Sequence, residues 1–160
     1  MKFKIEPAAD QELLRRCALM MSQSEAWIML KRDLNGCEEA MRGDYKEVYV
    51  AVEEGRLLGF IVLQMAGVFK GYIQSICVSP EIRNYGLGSS LISFAEERIF
   101  SVSPNVFMLV SAFNENAARL YYKLGYEKIG LLKNFVVDGM DEILLRKTIG
   151  SLNGFQHHNL

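Results

Sequence analysis

Apolar positions recur along this chain in two rhythms, and their order predicts a mixed α/β domain. Lys2 to Glu6 alternates polar and apolar residues, as a short strand does. Leu13, Leu14, Cys17, Ala18 and Met21 then fall every three to four residues behind Asp10, the signature of a capped amphipathic helix. Ser22 with Glu25 fits a capping box, opening a second helical run through Trp27, Leu30 and Leu34 that Gly36 interrupts and that resumes toward Gly43. From Tyr45 the period drops to two. Val48, Val50 and Val52, a turn at Glu53–Arg56 and the run Leu57–Met65 read as a hairpin, and Tyr72–Val78 follows as a third strand after Lys70–Gly71.

A loop over Ser79–Tyr85 leads into a helix whose apolar positions are Leu87, Leu91, Ile92, Phe94, Ala95 and Ile99. Val106–Val110 is continuously apolar, as expected of a strand buried on both faces. Strand, helix and strand at this spacing predict a right-handed parallel crossover. Asn114 caps a further helix to Leu124, Gly125 stops it, and two last strands flank a turn at Asp138–Gly139. Residues 1–148 thus form one α/β domain, and residues 149–160 read as a polar C-terminal tail.

With 160 residues, 50% of them apolar, the chain can bury one core. Eighteen basic residues against nineteen acidic ones leave a net charge of -1, so no sequence-wide positive field favours nucleic acid as a partner. Cys17, Cys37 and Cys77 are far apart and lack a histidine at ligand spacing, which predicts reduced thiols in a cytoplasmic protein and no metal site. The first residues have no apolar signal core, and the stretch Leu57–Phe69, broken by Gln64, is too short to cross a membrane. His157 and His158 lie in the tail with no acidic cluster beside them, a frayed terminus rather than a metal site. Glu53 and Glu54 read as a solvated hairpin tip.

The chemistry concentrates between the third strand and the helix after it, at Arg83-Asn84-Tyr85-Gly86-Leu87-Gly88-Ser89. A helix start offers unpaired N–H groups and the positive end of its dipole, a ready site for phosphate. Gly86 and Gly88 remove Cβ atoms that would hold a diphosphate away, and Arg83 adds a full charge. Two glycines alone would equally make a tight turn. The dinucleotide fingerprint would need a third glycine where Leu91 stands, and no Gly-Lys-Ser/Thr ending exists for a P-loop, so the anion belongs to another cofactor.

Arg83-x-x-Gly86-x-Gly88 after Ile76-Cys77-Val78-Ser79-Pro80 resembles the acetyl-CoA signature of GNAT N-acetyltransferases, whose pattern is Gln/Arg-x-x-Gly-x-Gly/Ala. Asn114 followed seven residues later by Tyr121, closed by Leu124-Gly125-Tyr126, resembles the second motif of that family. The likeness covers residues 1–148, and the subgroup nearest by eye is the bacterial ribosomal-protein N-terminal alanine acetyltransferases. It implies the GNAT fold: a central, mostly antiparallel sheet with one parallel β-α-β crossover and flanking helices. It also implies an enzyme that moves the acetyl group of acetyl-CoA onto a primary amine, of a small molecule or a peptide N-terminus, and the family's habit of dimerising leaves a homodimer open.

By the same resemblance, the backbone of Ile76, Cys77 and Val78 pairs with the pantetheine arm, and Asn84, Tyr85, Gly86, Leu87, Gly88 and Ser89 cradle the pyrophosphate beside Arg83. Asn114 contacts the pantetheine side, and Tyr121 protonates the departing thiolate. An asparagine at a helix start also serves simply as a cap, and a tyrosine on an apolar face as a core residue. The region of Met20, Met21 and Trp27 packs the first helices on the sheet and borders the acceptor pocket in this fold. The chain departs from the subgroup at Leu109, where the general-base glutamate is expected. That leaves deprotonation to water, Gln74 or Ser75, and keeps open a catalytically silent acyl-CoA-binding or sensor module. Cys77 has no activating neighbour in sequence for a covalent route.

Overall fold

The computed structural model describes residues 2–8 and 10–156; His157 and His158 lie outside them. Twelve helices and strands follow in the order β1 (Lys4–Pro7), α1 (Gln11–Ser22), α2 (Glu25–Met29), α3 (Leu34–Ala40), β2 (Lys46–Glu53), β3 (Arg56–Gln64), β4 (Tyr72–Val78), α4 (Leu87–Phe100), β5 (Asn105–Ser111), α5 (Glu115–Lys123), β6 (Glu127–Leu132) and β7 (Glu142–Thr148). Residues 149–156 carry no helix or strand. The strands form one seven-stranded sheet in the order β1-β2-β3-β4-β5-β7-β6, antiparallel throughout except for β4 against β5. No helix among the described residues is long and apolar enough to cross a membrane.

Helices cover the sheet on two sides. On one face α1 and α3 bury Cys17, Ala18, Met21 and Cys37 against Val50, Phe60, Val62 and Cys77. On the other, α4 and α5 bury Leu87, Leu91, Ile92, Ala118 and Tyr121 against Leu58, Ile61, Ile73, Val106, Met108, Val110 and Leu145. No residue of β5 or β7 belongs to the first of these clusters. Phe107 and Leu109 are accordingly only half-buried, which corrects the expectation that this strand is covered on both faces: α4 and α5 lie on one side of it alone.

Several other expectations change. Ser22 ends α1, its hydroxyl donating to Leu19 C=O, so it opens no capping box. The single long run expected after it divides into α2 and α3, because Lys31 turns the chain through φ 54° and Asp33 caps a new helix by accepting from Gly36 N–H at 2.8 Å. Gly36 lies inside α3 rather than breaking it; a Cβ there would stand 3.3 Å from Asp33 Oδ1. The Asp138–Gly139 turn forms as expected, Met140 N–H donating to Val137 C=O at 3.0 Å with Gly139 at φ 82°, but it sits inside a longer loop, 133–141, that joins the last two strands. Its shape is fixed by side chains: Asn134 Oδ1 accepts from Gly139 N–H at 2.8 Å, and Asp141 Oδ1 from Asn134 N–H at 3.2 Å.

The hairpin turn is as expected, with Glu54 and Gly55 both at positive φ (50° and 77°), the geometry that a two-residue hairpin turn favours. Glu53 is not merely solvated, since its Oε1 accepts Lys2 N–H at 2.9 Å. Gly71 brings the chain into β4 at φ 88°, where an added Cβ would stand 2.4 Å from Ile99 Cγ2 and 2.7 Å from Asn105 C=O. Backbone strain and overpacking act together there, so Gly71→Ala should destabilise the fold by about 2–5 kcal/mol. Gly139, also left-handed but with nothing within 4 Å, should lose only about 1–2 kcal/mol on the same change. Urea unfolding of the two variants checks the difference.

Candidate active site

The parallel pair parts almost as soon as it forms. Only Tyr72 and Ile73 of β4 find partners on β5, at Phe107 and Met108. The cause lies on the other edge of β4, where Ser75 faces Val62 and Ile73 faces Leu63, leaving Gln74 as an extra residue. Such a bulge bends its strand and increases local twist. Beyond it, β4 stays paired with β3 while β5 stays paired with β7 as far as Ser111, and a gap opens between them.

The backbone groups facing this gap follow from the ladder. Ser79 N–H donates to Leu58 C=O at 2.8 Å, and bonded pairs recur at every second residue of an antiparallel ladder. Cys77 and Ser75 therefore spend their N–H and C=O groups on Phe60 and Val62. Ile76 and Val78 turn theirs toward the gap. The Val78 carbonyl, outside the ladder, accepts from Arg83 Nε at 3.4 Å.

At the end of β4 the chain passes through a short 3-10 turn, Pro80–Ile82, into the start of α4. Asn84 and Gly86 both adopt positive φ (69° and 84°), and a left-handed residue directly before a helical one, as Gly86 stands before Leu87, turns successive N–H groups toward a concavity that suits an anion. The first bonded amide of α4 is Ser90, which donates to Gly86 C=O at 3.0 Å. The amides from Asn84 to Ser89 donate to no described residue. Nothing lies within 4 Å of an added Cβ at Gly86, while one at Gly88 would meet Leu120 Cδ2 and Val78 Cγ2, each at 3.9 Å. The end of β4, the first turn of α4 and the inner face of α5 thus converge. Arg83 and Tyr85 stand exposed at the rim.

Asn114 caps α5, its side chain accepting from Ala117 N–H at 3.3 Å. Tyr121 lies on the buried face of α5, 7% exposed, with its ring 6.2 Å from that of Tyr126. Burial alone pushes its hydroxyl up to about 12, so it keeps its proton throughout the neutral range. Cys77 faces the α1–α3 side, where its sulfur lies 3.1 Å from Ser24 Oγ. Burial pushes this thiol up, against smaller opposing effects from Ser24 and Arg83.

On the face away from α4 and α5, the gap is bordered by polar groups that sequence reading did not single out. Ser111 Oγ donates to Glu142 Oε1 at 2.7 Å, and burial holds the Glu142 carboxyl above its usual range. Tyr72, raised to about 12 by burial and then by the charge of Glu142, belongs to the same face. Gln74 is committed elsewhere, its amide donating to Ala40 C=O at 3.0 Å, and Ser75 is buried beneath α1 and α3. The signal for Glu142 was present as an acidic residue directly ahead of the apolar stretch Ile143-Leu144-Leu145. Its opposition to Ser111 needed the register of β5 on β7.

Residues 11–126 match the acetyltransferase (GNAT) family. The chain belongs to that family. An uncharacterized N-acetyltransferase of Methanocaldococcus jannaschii is 37% identical over 101 residues, covering 62% of this chain and 64% of the archaeal protein. The chain therefore spans a little under two thirds of that GNAT relative's length. The ribosomal-protein-S18-alanine N-acetyltransferase of Escherichia coli superposes with a TM-score of 0.77 at 16% identity, over 98% of this chain and 100% of that one. The spermidine N-acetyltransferase of Vibrio cholerae, solved with CoA and spermine, gives a TM-score of 0.72 at 17% identity over 91% and 95% of the two chains. At these identities the two structures establish the shared GNAT fold: a mostly antiparallel sheet with one parallel pair, flanked by helices.

If the free amides of the turn 84–89 bind the diphosphate of coenzyme A, a change at Gly86 tests it directly. Gly86→Ala adds a methyl where only open space surrounds it, at a backbone cost of about 1–2 kcal/mol. It should leave the chain folded and weaken coenzyme A binding at least tenfold by calorimetric titration.

Proposed function

We propose that this chain transfers the acetyl group of acetyl-CoA to a primary amine by direct attack on the thioester. The observation that carries the reading is the run of unpaired amides from Asn84 to Ser89, set beside a parallel strand pair that has come apart. A diphosphate takes the converging N–H groups, with Arg83 supplying charge at the rim. The amide-rich pantetheine arm enters the gap and adds to β4 as a further strand would, through Ile76 and Val78. Cys77 belongs to that strand segment, but its backbone faces β3; its part is to pack the far side. Asn114 lies at the α5 end of the cleft and orients the arm there.

Within this site the chemistry is proton management and orientation. Strand N–H groups facing the gap polarise the carbonyl where negative charge develops. The amine nitrogen bonds to the carbonyl carbon, the carbon–sulfur bond breaks, and the sulfur takes a proton from Tyr121. A hydroxyl held at about 12 is protonated at every working pH, so its proton is in place when the sulfur leaves. A covalent route through Cys77 is disfavoured: its thiol is pushed up by burial and its partner, Ser24, is no base. The three buried, unpaired thiols suit a reducing cytoplasm. Small-molecule amine and peptide N-terminus both fit as acceptors; the names of the E. coli and V. cholerae structures span these two classes.

Thiol release from acetyl-CoA across polyamines, aminoglycosides, amino acids and short peptides tests the proposal. Release with at least one amine is expected. Acetyl-CoA that protects the fold with no release for any acceptor would identify a silent binding module instead. Tyr121→Phe should lower turnover about 10²-fold while leaving acetyl-CoA affinity within a factor of two or so. Because the raised Tyr121 stays protonated, turnover should show no alkaline fall below the ordinary tyrosine value of about 10.

A further inference from the structure

We infer that Glu142 is the group that takes the proton from the attacking amine. The inference rests on the acetyl transfer proposed above. Leu109 occupies the position on β5 where a carboxylate was expected, and an aliphatic chain accepts no proton. One alternation further along the same strand and on the same face stands Ser111, and Ser111 opposes Glu142 across the β5–β7 ladder. The carboxylate has in effect been moved to the neighbouring strand.

Its placement fits the task. Val106, Met108, Val110 and Leu145 point into the core under α4 and α5, so strand alternation turns Ser111 and Glu142 to the opposite face. Tyr121 lies on the α4–α5 side. Acid and base thus lie on opposite faces of the sheet beside the gap, one able to serve the departing sulfur and the other the attacking amine. Glu142 is 3% exposed, yet the two carboxylate oxygens differ. Oε1 accepts from Ser111; Oε2 accepts nothing from a described residue and is not among the oxygens sealed in the interior. One oxygen is anchored, and the other remains available.

The steps balance. A neutral amine bonds to the carbonyl carbon and becomes positively charged; one of its protons passes to Glu142 Oε2. The carbon–sulfur bond breaks, and the sulfur leaves with the proton of Tyr121. Glu142 then returns a proton to solvent and Tyr121 regains one, so the net products are the acetamide and free thiol. Burial favours this role because a carboxyl held above its usual range is a stronger base than an exposed one.

Glu142→Gln preserves the shape and can still accept from Ser111, so the variant should fold and bind acetyl-CoA as the parent does. With an aliphatic amine that the parent acetylates, its turnover should fall at least 10²-fold. The deficit should shrink toward tenfold or less with weakly basic nucleophiles such as hydroxylamine, whose charged adduct loses its proton readily to water. A merely structural glutamate would give the same deficit with every nucleophile. Parent-like turnover of the variant, or an equal loss for strong and weak bases, would overturn the role of Glu142 while leaving acetyl transfer intact. A parent that binds acetyl-CoA but acetylates no amine would overturn the proposed function, and this role with it.

Discussion

The structure turns on the early divergence of one parallel strand pair. Neighbouring strands in a sheet normally satisfy each other's backbone groups along their whole length, and unpaired groups in the interior are costly. Here the extra residue at Gln74 bends β4 away from β5 just after Ile73, and the N–H and C=O groups of Ile76 and Val78 are left facing a gap. Everything else at the site is arranged around that gap. The amide-lined turn 84–89 lies at its mouth, α5 closes one side with Tyr121, and the Ser111–Glu142 pair borders the other. The helices hold the two halves of the sheet in place: α1 and α3 on the first half, α4 and α5 across the junction.

Much of this was legible in the residues. The alternation in Val48, Val50 and Val52, the apolar spacing from Leu87 to Ile99 and the capping residues Asp10 and Asn114 are local signals, and local signals survive folding unless tertiary packing overrides them. The glycines at 86 and 88 announced a special backbone because few other residues tolerate the left-handed conformation that Gly86 adopts. What stayed hidden depends on register. No local pattern distinguishes Gln74 as a bulge from any other polar strand residue, and without that bulge the parity of Ile76, Cys77 and Val78 is undetermined. Glu142 stood out only as an acidic residue ahead of an apolar stretch, and its meaning, which comes from standing opposite Ser111, was hidden for the same reason.

The errors are equally physical. Ser22 and Glu25 have the spacing of a capping box, but Asp10 had already begun a helix whose last residue is Ser22. Gly36 resembled a helix breaker and instead allows Asp33 to approach its own helix start. The apolar run Val106–Val110 suggested burial on both faces, yet composition does not reveal whether a second helix layer extends that far; here α1 and α3 stop at β4, and no helix covers that face of β5.

In the proposed function, the open edge of β4 and the turn after it hold the coenzyme through backbone amides. Amide hydrogen exchange, read residue by residue with and without saturating coenzyme A, tests it most directly. Strong slowing is expected at Ile76, at Val78 and across 84–89, with Cys77 unchanged because its amide already pairs with β3. Binding that slows exchange elsewhere while leaving those amides as they were would contradict it.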